Sequence, residues 1–225
     1  RDHRDLHLSI RRQRQMCIRD STSNIYGMGK SEERIGEFLS KQGKQANSLF
    51  NIATKASIFS DPETGKRGFN NEGAHLEEEL DKSLKRMGVD CVDLFYVHRR
   101  DHNIEIEEVT ESLSNLVKKG KTKSIGYSEI APSSLKRASA IHHIAAVQSE
   151  YSLSTRAPEM GLVQACEELG TALVAFSPVG RTFLTDSPLS YDFAQTLDFT
   201  KVNPRFCLLY TSPSPRDQRG SGVPG

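Results

Sequence analysis

The sequence predicts an α/β protein, an incomplete (β/α)8 TIM barrel with about five βα units, on three observations. Strand-like runs alternate with helical repeats through residues 21–206, which is the signature of parallel βα units. The early glycine turn of an open dinucleotide-binding sheet is missing. Gly27 and Gly29 begin such a pattern, but Glu32 takes the place of its third glycine, and Asn24 takes the place of the first glycine of a phosphate loop ending in Gly29-Lys30-Ser31. Finally, each strand-like run ends in a polar or ionisable residue: Lys55, His98, Ser128, Gln148 and Ser177. Such groups converge on one mouth when the strands form a ring.

The elements follow in order. Ile35, Phe38 and Leu39 mark a short helix behind Ser31-Glu32-Glu33, a capped start. Residues 49–55 form the first clear strand. Leu76, Leu80, Leu84 and Met87 share one helical face, closed by Gly88. Residues 92–98 are the next strand. Ile106, Val109, Leu113, Leu116 and Val117 give an amphipathic helix ending at Gly120, with Lys118-Lys119 complementing its dipole. A strand over 124–128 leads into a helix opening at Pro132. A strand over 145–149 precedes a helix over about 158–169, and 171–176 is the last strand before the pattern dissolves. Residues 21–206 fall short of the roughly 250 residues of a typical barrel. The first two strands and the last are therefore expected to be missing, leaving an unclosed sheet with exposed edges and no measurable activity in the chain as given.

Composition narrows the classes. The 225 residues carry 30 Lys+Arg against 29 Asp+Glu, so no basic field calls for nucleic acid or anionic lipid. Apolar residues make up a lean 36%, and no run approaches the roughly 18 apolar residues of a membrane span. Cys17, Cys91, Cys166 and Cys207 show no C-x-x-C spacing, which argues against a zinc ribbon or disulfide scaffold and predicts no metal site. A soluble protein of a reducing compartment, the cytoplasm, is expected.

The ends differ from the middle. Residues 1–20 hold six Arg and three Asp, and nine of the last fifteen residues are Ser, Pro or Gly, leaving 21–206 mildly acidic at −3. The strings RQMCIRDS and LLYTSPSPRD resemble translated sequencing-adapter read-through. On that reading 1–20 and 207–225 are non-native or disordered tails flanking a partial barrel over 21–206. Taken at face value, the N-terminal stretch is instead a basic nucleic-acid arm.

Several segments together resemble the aldo-keto reductase family. Ser21-Thr22-Ser23-Asn24-Ile25-Tyr26-Gly27 followed by Lys30-Ser31-Glu32 is similar to its D-T-A-x-x-Y-G…S-E segment, with Ser21 in place of the aspartate. Ala53-Thr54-Lys55 and Leu94-Phe95-Tyr96-Val97-His98 resemble the strands that end in the active-site lysine and histidine. Gly126-Tyr127-Ser128-Glu129, Val147-Gln148-Ser149-Glu150-Tyr151 and Ala175-Phe176-Ser177-Pro178-Val179-Gly180-Arg181 resemble the cofactor segments.

The resemblance implies reduction of an aldehyde or ketone by hydride from NADPH or NADH, with a small carbonyl compound as substrate. Charge that develops on the carbonyl oxygen must be neutralised as it forms. Tyr26 is the implied general acid, Lys55 its electrostatic activator and His98 the orienting donor. The aspartate that pairs with the lysine is replaced by Ser21. Ser128, Glu129 and Gln148 are implied to hold the nicotinamide carboxamide, Phe176 to stack beneath its ring, and Ser177 and Arg181 to cover the pyrophosphate. The segment that grips the 2′-phosphate would follow Pro204-Arg205-Phe206, where the tail begins. The choice of NADPH or NADH therefore stays open, as do the substrate and the oligomeric state. Barrels of this family also serve as channel-associated regulators, so the alternative is a non-catalytic cofactor-binding regulatory subunit.

Overall fold

The computed structural model describes residues 19–43, 51–61 and 65–187, with 190, 193 and 196. Leu49 and Phe50 of the first expected strand, both expected tails apart from Arg19 and Asp20, and Cys17 and Cys207 lie outside the described residues. The chain divides into two units, one of residues up to 151 with 156–176, the other of 152–155 and 177 onward.

In the first unit β1 (Arg19–Ser21) leads through a turn into α1 (Lys30–Gln42), then β2 (Asn51–Ala56). A hairpin of β3 (Ile58–Ser60) and β4 (Arg67–Phe69) follows, then α2 (Gly73–Met87) and β5 (Leu94–Val97). Next come α3 (Ile106–Lys118), β6 (Ile125–Ser128), α4 (Pro132–Ile141) and β7 (Ala146–Glu150). A 3-10 turn over Ala157–Met160, α5 (Leu162–Leu169) and β8 (Ala172–Phe176) complete it.

Six strands form one parallel sheet in the order β1-β2-β5-β6-β7-β8, the half-barrel arrangement of an incomplete (β/α)8 fold. That is one strand more than the five the pattern yields. Arg19, Asp20 and Ser21 pair with Asn51, Ile52 and Ala53, a segment too short to show any periodicity in sequence. The β3–β4 hairpin is also unforeseen, because two three-residue strands leave no alternation to read.

Helix ends follow local chemistry. Gly88 and Gly170 take the left-handed conformation at the ends of α2 and α5, and their N–H groups return to carbonyls of the last turn. Pro132 opens α4, where its missing N–H is harmless. The start of α1 differs from expectation. Its N-cap is Gly29, with no side-chain cap. Ser31 Oγ instead accepts a hydrogen bond from Thr22 Oγ1 at 2.8 Å.

Strand period 2 sorts the core into two layers. Val97, Tyr127, Val147 and Leu173 stand in one register row that faces the helices, where they meet Leu76, Leu80, Ile106, Leu113 and Leu135. Each such fully buried side chain stabilises the fold by roughly 1.5–3 kcal/mol. Ala53, Leu94, Tyr96 and Ala146 form a smaller cluster on the opposite, inward face. Gly126 is required there, because a Cβ would lie 2.7 Å from the Tyr96 ring and 2.6 Å from the Ala146 carbonyl oxygen.

Candidate active site

The inward phase carries the polar strand ends. Lys55 is in register with Tyr96, Tyr96 with Gly126, and Ser128 with Gln148. Counting by twos, Lys55, His98, Ser128, Gln148 and Phe176 follow the inward residues Ala53, Tyr96, Gly126, Ala146 and Val174. They gather with Tyr26 around a cavity of about 160 Å³, to which Ser21 and Arg99 also contribute. Six of the nine residues expected from sequence reach this cavity.

Tyr26 arrives from a turn rather than a strand. Beyond Ser21, the N–H groups of Thr22 and Asn24 donate to the carbonyls of Ala53 and Lys55 at 2.9 and 3.1 Å. This lays the turn alongside β2, and Gly27 reverses the chain at φ 60. The Tyr26 ring meets His98 edge-on, with centroids 5.7 Å apart and planes at 83°. Lys55 Nζ lies over the same ring, 5.2 Å from its centroid.

Lys55 is 1% exposed and donates to Ser21 Oγ at 2.7 Å. A hydroxyl there accepts a hydrogen bond but brings no counter-charge. His98 is likewise buried, and its Nδ1 lies 3.0 Å from Ser23 Oγ. Burial, with the Lys55 and Arg99 cations, pushes the His98 imidazole down to about 3, so the ring is neutral at physiological pH. Burial raises the Tyr26 phenol above its ordinary value, and the Arg99 charge works against that rise. The hydroxyl therefore holds its proton at neutral pH.

Arg99 is the largest departure from the sequence reading. Its Nη1 donates to Ser128 Oγ at 3.0 Å and to the His98 carbonyl at 2.7 Å, placing a guanidinium beside the phenol, the imidazole and a strand-end serine. Ser23 was also missed. The signals were an Arg-Arg pair directly after an inward histidine, and a hydroxyl one turn before Tyr26.

The other three expected residues are Glu129, Ser177 and Arg181. Glu129, at φ 57, accepts a hydrogen bond from the Glu150 N–H at 2.8 Å and lines a neighbouring cavity with Arg99. Ser177 and Arg181 belong to the second unit, a run of turns in which Gly180 N–H donates to the Ser177 carbonyl at 2.8 Å. Both residues have positive φ, 51 and 57. Among the described residues, no His/Cys/Asp/Glu group could hold a metal ion, and no helix is long and apolar enough to cross a membrane.

Fold and cavity together define an incomplete (β/α)8-barrel protein with a polar cavity at the carboxyl ends of its parallel strands. A family model described as the aldo/keto reductase family matches residues 21–203, and the chain belongs to that family. It is 39% identical over 193 residues to the aldo-keto reductase yakc [NADP(+)] of Schizosaccharomyces pombe, covering 84% of this chain and 56% of that protein. It is 40% identical over 193 residues to the aldo-keto reductase str7 of Strobilurus tenacellus, covering 84% and 54%. The chain thus spans little more than half the length of these relatives. Among solved structures, aldo-keto reductase AKR11C1 of Bacillus halodurans in its holo form superposes with a TM-score of 0.68 at 25% identity, over 77% of this chain and 56% of that one. The glycerol dehydrogenase AKR11B4 of Gluconobacter oxydans shares the fold, with a TM-score of 0.71 at 23% identity over 89% and 62%.

Proposed function

We propose that the full-length protein is an oxidoreductase that reduces aldehydes or ketones to alcohols, with NADPH (or NADH) as its cofactor. The observation that carries this reading is the meeting of Tyr26, Lys55 and His98 around one cavity. The preference for NADPH leans on the relative named for NADP(+).

The cavity suits a nicotinamide. Among the described residues the Gln148 side-chain amide makes no hydrogen bond, so its donors and acceptor are left for a carboxamide. Ser128 Oγ accepts from Arg99, which leaves its own O–H to donate. Phe176 supplies a flat apolar wall. When bound, the cofactor supplies a hydride to the carbonyl carbon.

The chain's own residues handle the oxygen. Tyr26 Oη gives its proton to the oxygen as negative charge builds there. The resulting phenolate is stabilised by the Lys55 ammonium over its ring and by the Arg99 cation, and it regains its proton from water. Ser23 Oγ lies within hydrogen-bond reach of both His98 Nδ1, at 3.0 Å, and the Lys55 carbonyl, at 3.1 Å; when its proton turns to Nδ1, the His98 proton sits on Nε2, the donor that aligns the carbonyl. Exclusion of water from Lys55, at 1% exposure, keeps these charges effective. Cytoplasmic location is part of this reading, supported by the free thiols of Cys91 and Cys166.

The test follows NADPH absorbance with 4-nitrobenzaldehyde, alongside NADPH binding by fluorescence. Tyr26→Phe is expected to slow turnover by roughly 10²–10⁴-fold while leaving cofactor affinity near wild type. Binding without turnover in the wild-type protein, or a fully active Tyr26→Phe, refutes the proposal.

A further inference from the structure

We propose that the substrate carries a carboxylate and that Arg99 is the residue that selects it. The inference rests on the reductase reading above and names the substrate class of the same site. Arg99 alone is shared between the catalytic cavity and an adjoining cleft of about 440 Å³ that also holds Phe69, Arg100, His102 and Glu129.

A guanidinium has five N–H donors in a rigid fork. Both protons of Arg99 Nη1 are engaged, by the His98 carbonyl at 2.7 Å and by Ser128 Oγ at 3.0 Å. These two bonds fix the plane of the group. Among the described residues, Nε and Nη2 make no hydrogen bond and no carboxylate pairs with Arg99. Three of the five donors are thus left for a ligand in a partly buried group. A carboxylate accepts two parallel N–H bonds and matches that fork.

Asp101 and Glu129 line the same cleft, and among the described residues neither pairs with Arg99. Asp101 Oδ1 accepts from the backbone and side-chain nitrogens of Asn103 at 2.9 and 2.8 Å. Glu129 Oε1 accepts from the Glu150 N–H at 2.8 Å. Arg100 spends Nη2 on the Ile104 carbonyl at 2.7 Å, yet adds positive charge to the same cleft. Phe69 offers an apolar wall for the carbon skeleton. Because Arg99 directly follows His98, a carboxylate held there lies a short spacer away from a carbonyl held by His98 and Tyr26. Compact oxo-acids, aliphatic or aromatic, fit that description.

The experiment uses the full-length protein and compares two aldehydes of similar size, 4-carboxybenzaldehyde and 4-nitrobenzaldehyde, in wild type, Arg99→Met and Arg99→Lys. The ratio of their kcat/KM values is the readout. Arg99→Met is expected to lower the carboxy-to-nitro ratio by about tenfold to a hundredfold, and Arg99→Lys by less, since the charge survives but the fork does not. An unchanged ratio overturns the proposal. So does an Arg99→Met that weakens NADPH binding and slows both aldehydes alike, because the guanidinium then serves the cofactor. Calorimetric titration with benzoate keeps the two readings apart. If neither aldehyde is turned over, the reductase reading fails, while benzoate binding that Arg99→Met abolishes still supports the carboxylate site and its absence overturns it.

Discussion

Replacing Glu32 by glutamine tests how the framework behind Lys55 is held. The Glu32 side chain is fully buried in α1 and receives two short hydrogen bonds, from Thr54 Oγ1 of β2 at 2.6 Å and from Arg86 Nε of α2 at 2.6 Å. It thereby pins two helices to the strand position next to Lys55. A glutamine side chain is isosteric and can still accept from one partner. Its amide protons then face the other donor, and the charge of Arg86 loses its compensation. Breaking a buried ion pair from one side costs about 3–5 kcal/mol. Arg86 is 24% exposed, so water recovers part of that, and about 2–3 kcal/mol is expected, roughly a 30- to 150-fold change in the folding equilibrium. Urea denaturation followed by far-ultraviolet circular dichroism measures it, provided the m-value is unchanged. Glu32→Gln combined with Arg86→Met should be destabilised by at least about 1 kcal/mol less than the sum of the two single changes, since the pair fails once. A Glu32→Gln variant within about 0.5 kcal/mol of wild type, or strict additivity in the double variant, refutes the reasoning.

Other perturbations address the site itself. His98 titrates near 3 when folded against 6.5 when unfolded. The unfolded chain therefore binds the extra proton between those values, and the stability this residue contributes is whole above pH 6.5 and lost as pH falls toward 3. Urea midpoints of His98→Gln should accordingly fall less steeply with acid than those of wild type; parallel curves would show that His98 is not the group responsible. Ser23→Ala removes the partner of Nδ1 and frees the ring to take either tautomer. It should lower kcat/KM by about tenfold with NADPH affinity intact, and an unaltered kcat/KM speaks against the assigned tautomer. Gly126→Ala drives a methyl into the Tyr96 ring and the Ala146 carbonyl. A loss of about 1–3 kcal/mol is expected, readable as a lowered thermal midpoint, and an unshifted midpoint contradicts the close approach.

Much of this was legible from residue order alone. The helical repeats of α2 and α3 and the apolar runs of β5, β6 and β8 are long enough for period to separate strand from helix, and Gly88 and Pro132 mark ends by backbone chemistry that acts within a few residues. The alternation also decides which residues share a face, so Lys55, His98, Ser128 and Gln148 group together on residue order alone. Three-residue β1 and the β3–β4 hairpin were not legible, because their pairing partners, not their own residues, make them strands. The capping expectation at Ser31 failed for a related reason. Its hydroxyl had a better partner in Thr22, nine residues away in sequence.

The sequence by itself therefore determined the alternating architecture and the inward groups, since both depend on contacts within a few residues of each other. The tertiary structure alone decided where Arg99 and Glu32 act. Each is an ordinary charged residue until folding brings Ser128 to the one and Thr54 and Arg86 to the other. Burial, a property of the whole packed chain, is what pushes the His98 imidazole down and the Tyr26 phenol up.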